Sequence, residues 1–344
     1  MNEEQAILAV AGDNTKTDVA ILERDGTLRA AVRGQGASPD LLGLETSLYR
    51  LGDLIEKAWL DTGGADGTRR ASVGMYFLAG VNSPAAEQRV SQAIAARGWS
   101  ATNQVANDVF GSLWAANGKG EGVAVFVGAG INCVGQLGSG ARARFACLGP
   151  LSGDFGDGRS LGIEAIAAAV RGEDGRGAPT ILSRIIAQYF GRATASDVAL
   201  ALHDGDIADE HVLEVVPLLI NAAAMNDEVA DALLERQAEE VAGYIVAAAR
   251  QLGIAAKPFD AVLSGSLAAG EKWPTVVRMR RHLDATLPGA RTVISTALPV
   301  LGAALAGLSF LAAGEAAKER IRASLVPHRL HVVGGSAYMN FPGQ

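Results

Sequence analysis

Five residues near the N-terminus combine polar side chains with the backbone freedom that an anion site requires. The stretch AILAVAGDNTKTDVAILE predicts strand, tight turn and strand, because apolar residues alternate on both sides of residues 12–16. A hairpin turn requires only a glycine with an Asn or Asp, yet this turn also contains Thr15 and Lys16. Its backbone N–H groups can form an anion site, and Asp13 can bind Mg²⁺. The alternative is an ordinary hairpin turn with solvated polar side chains.

Two further glycine turns follow later in the chain. The stretch VAVFVGAGINCVGQ repeats the order strand, turn, strand, so that residues 127–132 resemble residues 10–15. This repetition predicts an internal duplication with two lobes, and a cleft lined by both turns in which the β- and γ-phosphates of one nucleotide would bind. Gly265 and Ser266 follow the buried strand AVLS, where a glycine lets the backbone approach a flat ligand such as adenine.

Two carboxylates complete this set of chemical groups. Asp108 follows Asn107 at a strand-to-helix junction, where it either caps the helix or accepts a proton from a substrate hydroxyl. Asp154 lies in the glycine-rich segment LSGDFGDG, and a carboxylate in such a loop suits hydrogen bonds to vicinal sugar hydroxyls. Phosphoryl transfer requires little more of a protein than a base, groups that bind phosphate and a metal ion.

An α/β fold is needed to position these residues. Three strands, then helix, strand, helix, strand and helix occupy the first third of the chain, which predicts a mixed sheet. The order restarts near residue 122 with a strand, a glycine turn and a strand, and the later predicted elements are a third strand over ARARFACLG, a helical region at 159–252, a strand at 261–264, a helix at 273–286 and a strand at 291–296. The predicted units are an N-terminal lobe over 1–116, a C-terminal lobe over 117–326 and a loosely attached tail over 327–344.

Composition argues against several other classes of protein. The 344 residues carry 30 Lys and Arg against 37 Asp and Glu, a formal charge of −7 that argues against a nucleic-acid-binding surface. The two cysteines form no C-x-x-C pair, which excludes a zinc ribbon and indicates a reduced, cytoplasmic protein. The chain contains no Walker A sequence, and no G-x-G-x-x-G follows the first strand. The uncharged stretch 297–314 is rich in weakly hydrophobic Ala and Gly, which favours a buried helix beginning at Pro299 over a membrane span.

The segments AGDNTKTDVAI, VGAGINCVG, LSGDFGDG, VLSGS and LPVLGAAL, in this order and spacing, resemble one known family. It is the N-acetylglucosamine kinase branch of the BadF/BadG/BcrA/BcrD ATPase family, within the actin/hexokinase/Hsp70 superfamily, and the resemblance covers residues 7–312. It implies an α/β fold of two ribonuclease-H-like lobes of the actin/hexokinase type with a cleft between them. It also implies an ATP- and Mg²⁺-dependent transfer of phosphate to the 6-hydroxyl of N-acetylglucosamine, glucosamine or a related hexosamine, by a homodimer. From charge and composition, no nucleic-acid or membrane partner is expected.

The resemblance also implies roles for individual residues. It makes Asp108 the catalytic base that takes the proton of the sugar hydroxyl, and Asp13 the metal ligand. The implied contacts to ATP and its phosphates are Gly12, Asp13, Asn14, Thr15, Lys16, Gly128, Ala129, Gly130, Gly265 and Ser266. The implied contacts to the sugar are Ser38, Asn107, Asp108, Asn132, Gly153 and Asp154.

Three positions depart from the family pattern. The family usually has an acid at the end of the first strand, where this chain has Ala11, and here a carboxylate follows two residues later. Ala129 replaces the usual threonine of the second glycine turn, which removes a hydroxyl donor. Phe155 follows Asp154, where the family frequently has an acid, so the substrate preference is expected to differ accordingly.

Two alternative functions remain open from the sequence. The same family includes iron–sulfur ATPases that activate acyl-CoA dehydratases or reductases, and Cys133 and Cys147 would then hold a cluster at a dimer interface. Free cysteines in apolar strands are, however, commonly small core residues. The second alternative is a degenerate, non-catalytic sugar-binding protein, because Ala11 lacks the usual carboxylate.

Overall fold

The computed structural model describes residues 6–63, 70–268 and 273–333, which fold into two compact units. One unit contains the chain up to Gly120 together with the segment from Ala297 onward, and the other unit is Glu121–Thr296. Each unit is built around one β-sheet, six-stranded in the first and five-stranded in the second. The mixed α/β fold predicted from the sequence is confirmed.

The described residues form eleven strands and twelve α-helices. The strands are β1 (Ala6–Gly12), β2 (Lys16–Glu23), β3 (Leu28–Gln35), β4 (Ala71–Leu78), β5 (Ser100–Asn107), β6 (Gly122–Val127), β7 (Ile131–Gln136), β8 (Arg142–Arg144), β9 (Phe259–Ser264), β10 (Ala290–Ile294) and β11 (His331–Val332). The helices are α1 (Pro39–Leu42), α2 (Leu44–Asp61), α3 (Pro84–Arg97), α4 (Asp108–Asn117), α5 (Gly158–Asp174), α6 (Leu182–Tyr189), α7 (Ala195–Asp204), α8 (Val215–Ala224), α9 (Glu228–Gln251), α10 (Pro274–Thr286), α11 (Pro299–Phe310) and α12 (Glu315–Ser324).

The sheet of the first unit has the strand order β11-β3-β2-β1-β4-β5. Strands β1, β2 and β3 form an antiparallel meander, whereas β4 and β5 run parallel to β1. Every residue of β1 is buried, which its sequence AILAVAG allows in a strand covered on both faces. Helix α3 connects β4 to β5. The Ser83 hydroxyl accepts a hydrogen bond from the Ala86 N–H at the start of α3, and Gly98 ends the helix in the left-handed conformation.

The register of the parallel strands aligns three residues at one edge of this sheet. Gly12 at the end of β1 pairs with Leu78 at the end of β4, and Leu78 pairs with Asn107 at the end of β5. Neighbouring strands lie about 4.8 Å apart, so that the backbones of Gly12 and Asn107 are separated by roughly 10 Å. The first glycine turn and Asp108 directly follow these strand ends and therefore lie at the same edge of the sheet.

The sheet of the second unit has the strand order β10-β9-β6-β7-β8. Strands β6 and β7 form a hairpin around the second glycine turn, and β9 runs parallel to β6 with Phe126 opposite Ser264. Helix α9 packs against β6, β7 and α10, and its buried residues Val241 and Ile245 belong to the core formed with this sheet. Helices α5 to α8, together with part of α9, enclose a second apolar cluster that includes Leu161.

The helical region predicted at 159–252 consists of the five helices α5 to α9, with a short 3-10 helix, Asp209–Glu214, between α7 and α8. Two other sequence predictions differ from the structure. The third strand of the second half is only the three residues of β8, and Cys147, which the sequence places in this strand, has a φ of 50°. The segment 327–333 is not a loose tail, since β11 pairs with β3 and Leu330 is buried. The rest of the predicted tail, 334–344, lies outside the described residues.

The segment after residue 296 packs in the first unit, whereas the sequence predicts it in the C-terminal lobe. Helix α11 begins at Pro299 as predicted, nine of its twelve residues are buried, and it packs against β1, β4 and α4. Gly302 of α11 lies against the backbone of Gly111 in α4, where any side chain would collide. The first unit also extends to Gly120 rather than to residue 116. No helix among the described residues is both long and apolar enough to cross a membrane.

Candidate active site

The first glycine turn is closed by its own aspartate. The Asp13 N–H donates to the Lys16 carbonyl (2.9 Å). Oxygen Oδ1 of Asp13 accepts hydrogen bonds from the Thr15 N–H (2.6 Å), the Thr15 hydroxyl (2.7 Å) and the Lys16 N–H (2.7 Å). These are N–H groups that the sequence predicts to bind phosphate, so the Asp13 carboxylate takes the anion position of the turn. Asn14 at the tip of the turn is exposed.

Gly12 and Thr17 pack closely beside this turn. A Cβ at Gly12 would lie 3.0 Å from Leu78 Cδ2 and 3.3 Å from the Thr17 hydroxyl, which leaves little room for a larger residue. Thr17 is 1 % exposed, and its hydroxyl has no hydrogen-bond partner among the described residues. Buried hydroxyls without a partner are rare in native proteins. The position of this one at the edge of the turn fits a hydrogen bond to a ligand or to a water molecule.

Asp13 is the carboxylate available near the end of β1. Position 11 is Ala11, and its cross-strand partner is Asp18. Both oxygens of the buried Asp18 accept hydrogen bonds from the Arg33 guanidinium, at 2.6 and 2.7 Å, so that this carboxylate is already paired. Asp13 is partly exposed, and no described residue donates to its second oxygen, Oδ2. One carboxylate oxygen fits Mg²⁺, which is often bound through one or two carboxylates, waters and substrate phosphates.

Asp108 occupies the first helical position of α4 because its neighbour caps the helix. The Asn107 Oδ1 atom accepts a hydrogen bond from the Val109 N–H (3.0 Å), so the N-cap is Asn107 and not Asp108. Burial, and then the negative charge of Asp13, raise the pKa of Asp108 from 3.8 to about 7, against opposing hydrogen bonds from its own N–H, Val109 and Asn107. A carboxylate with a pKa near neutrality is well matched to accept a proton from a hydroxyl group at neutral pH.

Further polar side chains lie at the same edge of the first sheet. Ser38 is buried, and its hydroxyl lies 3.4 Å from the Ala79 carbonyl, just beyond the end of β4. The Asn107 amide donates to Asn82 Oδ1 (2.8 Å), and Asn107 is 2 % exposed. The first unit thus brings Ser38, Asn107 and Asp108 together at the ends of adjacent strands.

The second glycine turn leaves N–H groups open. The Gly128 N–H donates to the Gly130 carbonyl (2.9 Å), and the carbonyls of Gly128 and Ala129 accept from the N–H groups of Gly158 (2.8 Å) and Arg159 (3.3 Å) at the start of α5. The N–H groups of Ala129 and Gly130 have no acceptor among the residues that the structure describes, and both residues are exposed. This turn therefore has the open geometry that the sequence predicts for both turns.

The turn after β9 lies beside the second glycine turn. Gly265 has a φ of 97°, and a side chain there would collide with the Val127 backbone, so only glycine fits. The Ser266 hydroxyl lies 3.7 Å from the point where a Cβ of Gly128 would be. The Ser264 hydroxyl is buried and, within the described part of the chain, has no hydrogen-bond partner. The second unit thus brings Gly265, Ser266 and the second glycine turn together.

The Asp154 loop is the other predicted site of the second unit. Oxygen Oδ2 of Asp154 accepts hydrogen bonds from the Gly149 N–H (2.7 Å) and the Ser152 hydroxyl (2.6 Å). Oxygen Oδ1 accepts a hydrogen bond from the Tyr244 hydroxyl on α9. Gly153 is exposed and adopts the left-handed conformation, with a φ of 75°. The loop therefore holds the Asp154 carboxylate by both oxygens.

The two cysteines are held by contacts within the second unit. Cys133 on β7 is fully buried, burial raises the pKa of its thiol, and its sulfur lies 3.8 Å from the Tyr244 carbonyl. Cys147 is partly buried, and its thiol donates to Asn132 Oδ1 (3.1 Å). A buried thiol with a raised pKa is poorly suited to bind a metal cluster as thiolate, so this arrangement does not favour the iron–sulfur alternative. It connects Cys147 instead to Asn132, a predicted sugar contact.

Sequence reasoning missed three polar residues of these sites. Tyr244 is separated from Asp154 by 90 residues, and no local pattern connects a helical tyrosine with so distant a loop. Ser152 precedes Asp154 by two residues, and a serine at this spacing in a glycine-rich loop is a recognisable signal for a local hydrogen bond. The unpartnered hydroxyl of Thr17 depends on the packing of neighbouring strands and has no signal in the sequence.

Comparisons with known proteins agree with this arrangement. The model of the BadF/BadG/BcrA/BcrD ATPase family matches residues 12–307. The N-acetylmuramic acid/N-acetylglucosamine kinase of Clostridium acetobutylicum is 26% identical over 197 residues, and the N-acetyl-D-glucosamine kinase of Dictyostelium discoideum is 23% identical over 194 residues. Each alignment covers 56% of this chain. The chain spans about six tenths of the length of these curated relatives, 59% and 60% respectively.

Solved structures share the fold. A proposed N-acetylglucosamine kinase from Chromobacterium violaceum matches with a TM-score of 0.65 at 22% identity, over 88% of this chain and 99% of that chain. A ROK family glucokinase from Streptomyces griseus, solved with glucose and AMPPNP, matches with a TM-score of 0.50 at 16% identity, over 89% of this chain and 98% of that chain. These matches confirm the predicted actin/hexokinase type of α/β fold. Because the family match extends over most of the sequence, the chain belongs to the BadF/BadG/BcrA/BcrD ATPase family.

Proposed function

We propose that this protein is an ATP-dependent sugar kinase that phosphorylates the 6-hydroxyl of N-acetylglucosamine, glucosamine or a related hexosamine. The observation that carries the proposal is Asp108, a carboxylate with a pKa of about 7 at the sheet edge that also holds the first glycine turn. The names of the two curated relatives support a kinase for amino sugars. A cytoplasmic location and a homodimeric state stay predictions from the sequence.

Asp108 is the proposed catalytic base. It accepts the proton of the sugar 6-hydroxyl while the hydroxyl oxygen forms its bond to the γ-phosphorus of ATP. The bond between that phosphorus and the oxygen of the leaving ADP breaks, and Asp108 later releases its proton to solvent. Because burial and the charge of Asp13 raise the pKa of Asp108 to about 7, its carboxylate is a stronger base than that of an ordinary aspartate.

The two glycine turns would bind the phosphates of ATP in different ways. In the second turn, the open N–H groups of Ala129 and Gly130 would donate to phosphate oxygens directly. In the first turn, the Lys16 ammonium would attract the phosphates, whereas the turn N–H groups become available only when the Asp13 carboxylate moves. The adenosine would lie against the turn formed by Gly265 and Ser266, beside the second glycine turn.

Magnesium would be held by Oδ2 of Asp13, with water and phosphate oxygens as its other ligands. When bound there, the ion would neutralise part of the charge on the β- and γ-phosphates. The residues that we propose to contact the sugar are Ser38, Asn107, Asn132, Gly153 and Asp154. Carboxylate and amide groups at these positions would accept and donate the hydrogen bonds of sugar hydroxyls, and such pairing discriminates strongly between substrates.

A panel of hexoses and aminohexoses, tested for sugar-dependent ADP release, examines this proposal. We expect turnover with one or more hexosamines and little with ATP alone. Phosphorus and carbon NMR of the product then identify the phosphorylated hydroxyl. Turnover that is absent with every sugar would overturn the kinase proposal, and phosphate on a hydroxyl other than that of carbon 6 would overturn its regiochemistry.

A non-catalytic sugar-binding protein is the second candidate function. It is favoured by Ala11 at the position of the usual acid, and by the Asp13 carboxylate that fills the first turn. Calorimetry with hexosamines, in the presence and absence of ATP and Mg²⁺, separates the two candidates. Sugar binding without any binding or consumption of ATP would favour the second candidate.

A further inference from the structure

Both oxygens of the Asp154 carboxylate are held by donors of the protein. Oxygen Oδ2 accepts two hydrogen bonds, from the Gly149 N–H and the Ser152 hydroxyl, and a carboxylate oxygen has room for about two. Oxygen Oδ1 accepts one hydrogen bond, from the Tyr244 hydroxyl. Asp154 can therefore accept about one further hydrogen bond from a ligand, at Oδ1. The hydrogen bond from Tyr244 sets the orientation of that oxygen.

The two residues after Asp154 are also held by helix α9. The ring of Phe155 is buried and lies 3.8 Å beneath the guanidinium carbon of Arg236. The Gly156 carbonyl accepts a hydrogen bond from Nε2 of Gln237 (2.6 Å), which is buried as well. The buried Phe155 ring faces the Arg236 guanidinium at a position where the family often has an acid. The departure at Phe155 thus accompanies a loop that α9 fastens at three consecutive residues.

Helix α9 is itself a firm support. Gln237 and Tyr244 are seven residues apart, which places them on one face of the helix two turns apart. The Tyr244 ring packs edge-on against Phe145, with 5.1 Å between the ring centres. The Thr275 hydroxyl at the start of α10 donates to Oε1 of Gln237, so that both ends of this amide are bonded. Because α9 is held in this way, the hydrogen bonds from Tyr244 and Gln237 restrict the position of the Asp154 loop.

We propose that α9 positions the Asp154 loop and that Tyr244 is the residue that orients the Asp154 carboxylate toward the acceptor sugar. This inference rests on the proposed function, because it assumes that the ligand of Asp154 is the acceptor sugar. Tyr244 acts through Asp154 and does not touch the sugar. Burial raises the pKa of Tyr244 well above its usual range, so that its hydroxyl stays protonated and remains a donor.

Tyr244→Phe tests the proposal, since it removes the hydroxyl and keeps the ring that packs against Phe145. Without the Tyr244 hydroxyl, the Asp154 carboxylate is free to rotate and its hydrogen bond to the sugar is weakened. We therefore expect KM for the hexosamine to rise about 10-fold, which corresponds to the loss of one hydrogen bond to a charged group. The turnover number and KM for ATP should change less than about twofold, because the lost contact serves the ground state and the transition state equally.

The matched control is Tyr189→Phe, which removes a hydroxyl that donates to the Glu214 carboxylate (3.0 Å) elsewhere in the second unit. This variant should keep the wild-type KM for the sugar. A second readout does not depend on activity. Hydrogen exchange of the amides at 148–156 should become roughly 10-fold faster in Tyr244→Phe and should be unchanged in Tyr189→Phe, because the Gly149 N–H is bonded to Asp154.

The combined outcomes separate the two proposals. Exchange that stays at the wild-type rate in Tyr244→Phe overturns the positioning role, whatever the enzyme does. Faster exchange with an unchanged KM for the sugar overturns the link between Asp154 and the acceptor. Faster exchange in a protein that neither binds nor phosphorylates any hexosamine supports the positioning of Asp154 by α9 and overturns the proposed function instead.

Discussion

Replacement of Asp13 by Asn should lower the pKa of Asp108. The substitution removes one negative charge and preserves the size and shape of the side chain. The amide oxygen of Asn can still accept the hydrogen bonds from Thr15 and Lys16 that close the turn. The change at Asp108 is therefore mainly electrostatic, and the loss of a nearby like charge makes ionisation of Asp108 easier.

Two causes raise the pKa of Asp108 from 3.8 to about 7, and three hydrogen bonds oppose them. Burial is the larger of the two causes, and the charge of Asp13 is the smaller. We expect the pKa of Asp108 to fall by about 0.5 to 1.5 pH units in Asp13→Asn. A base acts only when it is ionised, so the acidic limb of the activity profile should move by the same amount toward lower pH.

The assay is the pH dependence of kcat/KM for the sugar, which reports ionisations that precede sugar binding. The maximum should also fall, because Oδ2 of Asp13 is the proposed metal ligand, so the midpoint of the acidic limb is the quantity compared. Asp25→Asn is the matched control. Asp25 accepts a hydrogen bond from the Thr27 N–H (2.9 Å) in another turn of the first unit, and it is not among the causes that shift the pKa of Asp108.

A midpoint that stays at the wild-type value in Asp13→Asn would show that Asp13 does not govern the ionisation seen in the profile. A midpoint that moves to higher pH would contradict the sign of the interaction, since removal of a like charge cannot make ionisation of Asp108 harder. An equal shift in Asp25→Asn would assign the effect to net charge and not to proximity.

Three further substitutions test other parts of the structure. Gly265→Ala should lower the free energy of unfolding by about 2 kcal/mol and raise KM for ATP, because its φ of 97° and the Val127 backbone leave no room for a Cβ. Denaturant unfolding and initial rates measure the two effects, and an unchanged stability would contradict the collision. Arg33→Met should lower the free energy of unfolding by about 3 kcal/mol, because the buried Asp18 loses its bidentate partner. A loss under about 1 kcal/mol would mean that water replaces the guanidinium. Asp108→Asn should be more stable than the wild type by about 4 kcal/mol near pH 8, because an acid with a raised pKa costs stability as pH rises from about 4 to 7. The difference should vanish near pH 4, and a constant difference would contradict the raised pKa.

The parts of the fold that local patterns specify could be predicted from the sequence. Apolar alternation locates β1 and β2, and Asn107 before an apolar run marks the start of α4, so that Asp108 could be placed at a strand-to-helix junction. The actin/hexokinase type of fold follows from the order of such elements together with the resemblance. The placement of α11 in the first unit could not be predicted, because it depends on the close approach of Gly302 to Gly111.

The candidate site, like the fold, could be predicted from the sequence only in part. Glycine, Asp, Thr and Lys in one turn identify residues 12–16 as a place for chemistry, but not the direction in which the Asp13 carboxylate points. That direction depends on the backbone of the turn, which brings the N–H groups of Thr15 and Lys16 to one oxygen. Tyr244 could not be predicted either, because its bond to Asp154 joins a helix to a loop across 90 residues.

The central claim is that Asp108 is the base for phosphoryl transfer to a hexosamine. The most direct test is a single-turnover measurement of hexosamine phosphate in wild type and Asp108→Asn, together with calorimetry of sugar binding to both. We expect sugar binding within about threefold of the wild type, because the amide still fills the position, and phosphate transfer slower by roughly a factor of 100 or more. Transfer at the wild-type rate in Asp108→Asn, with sugar binding intact, would contradict the claim.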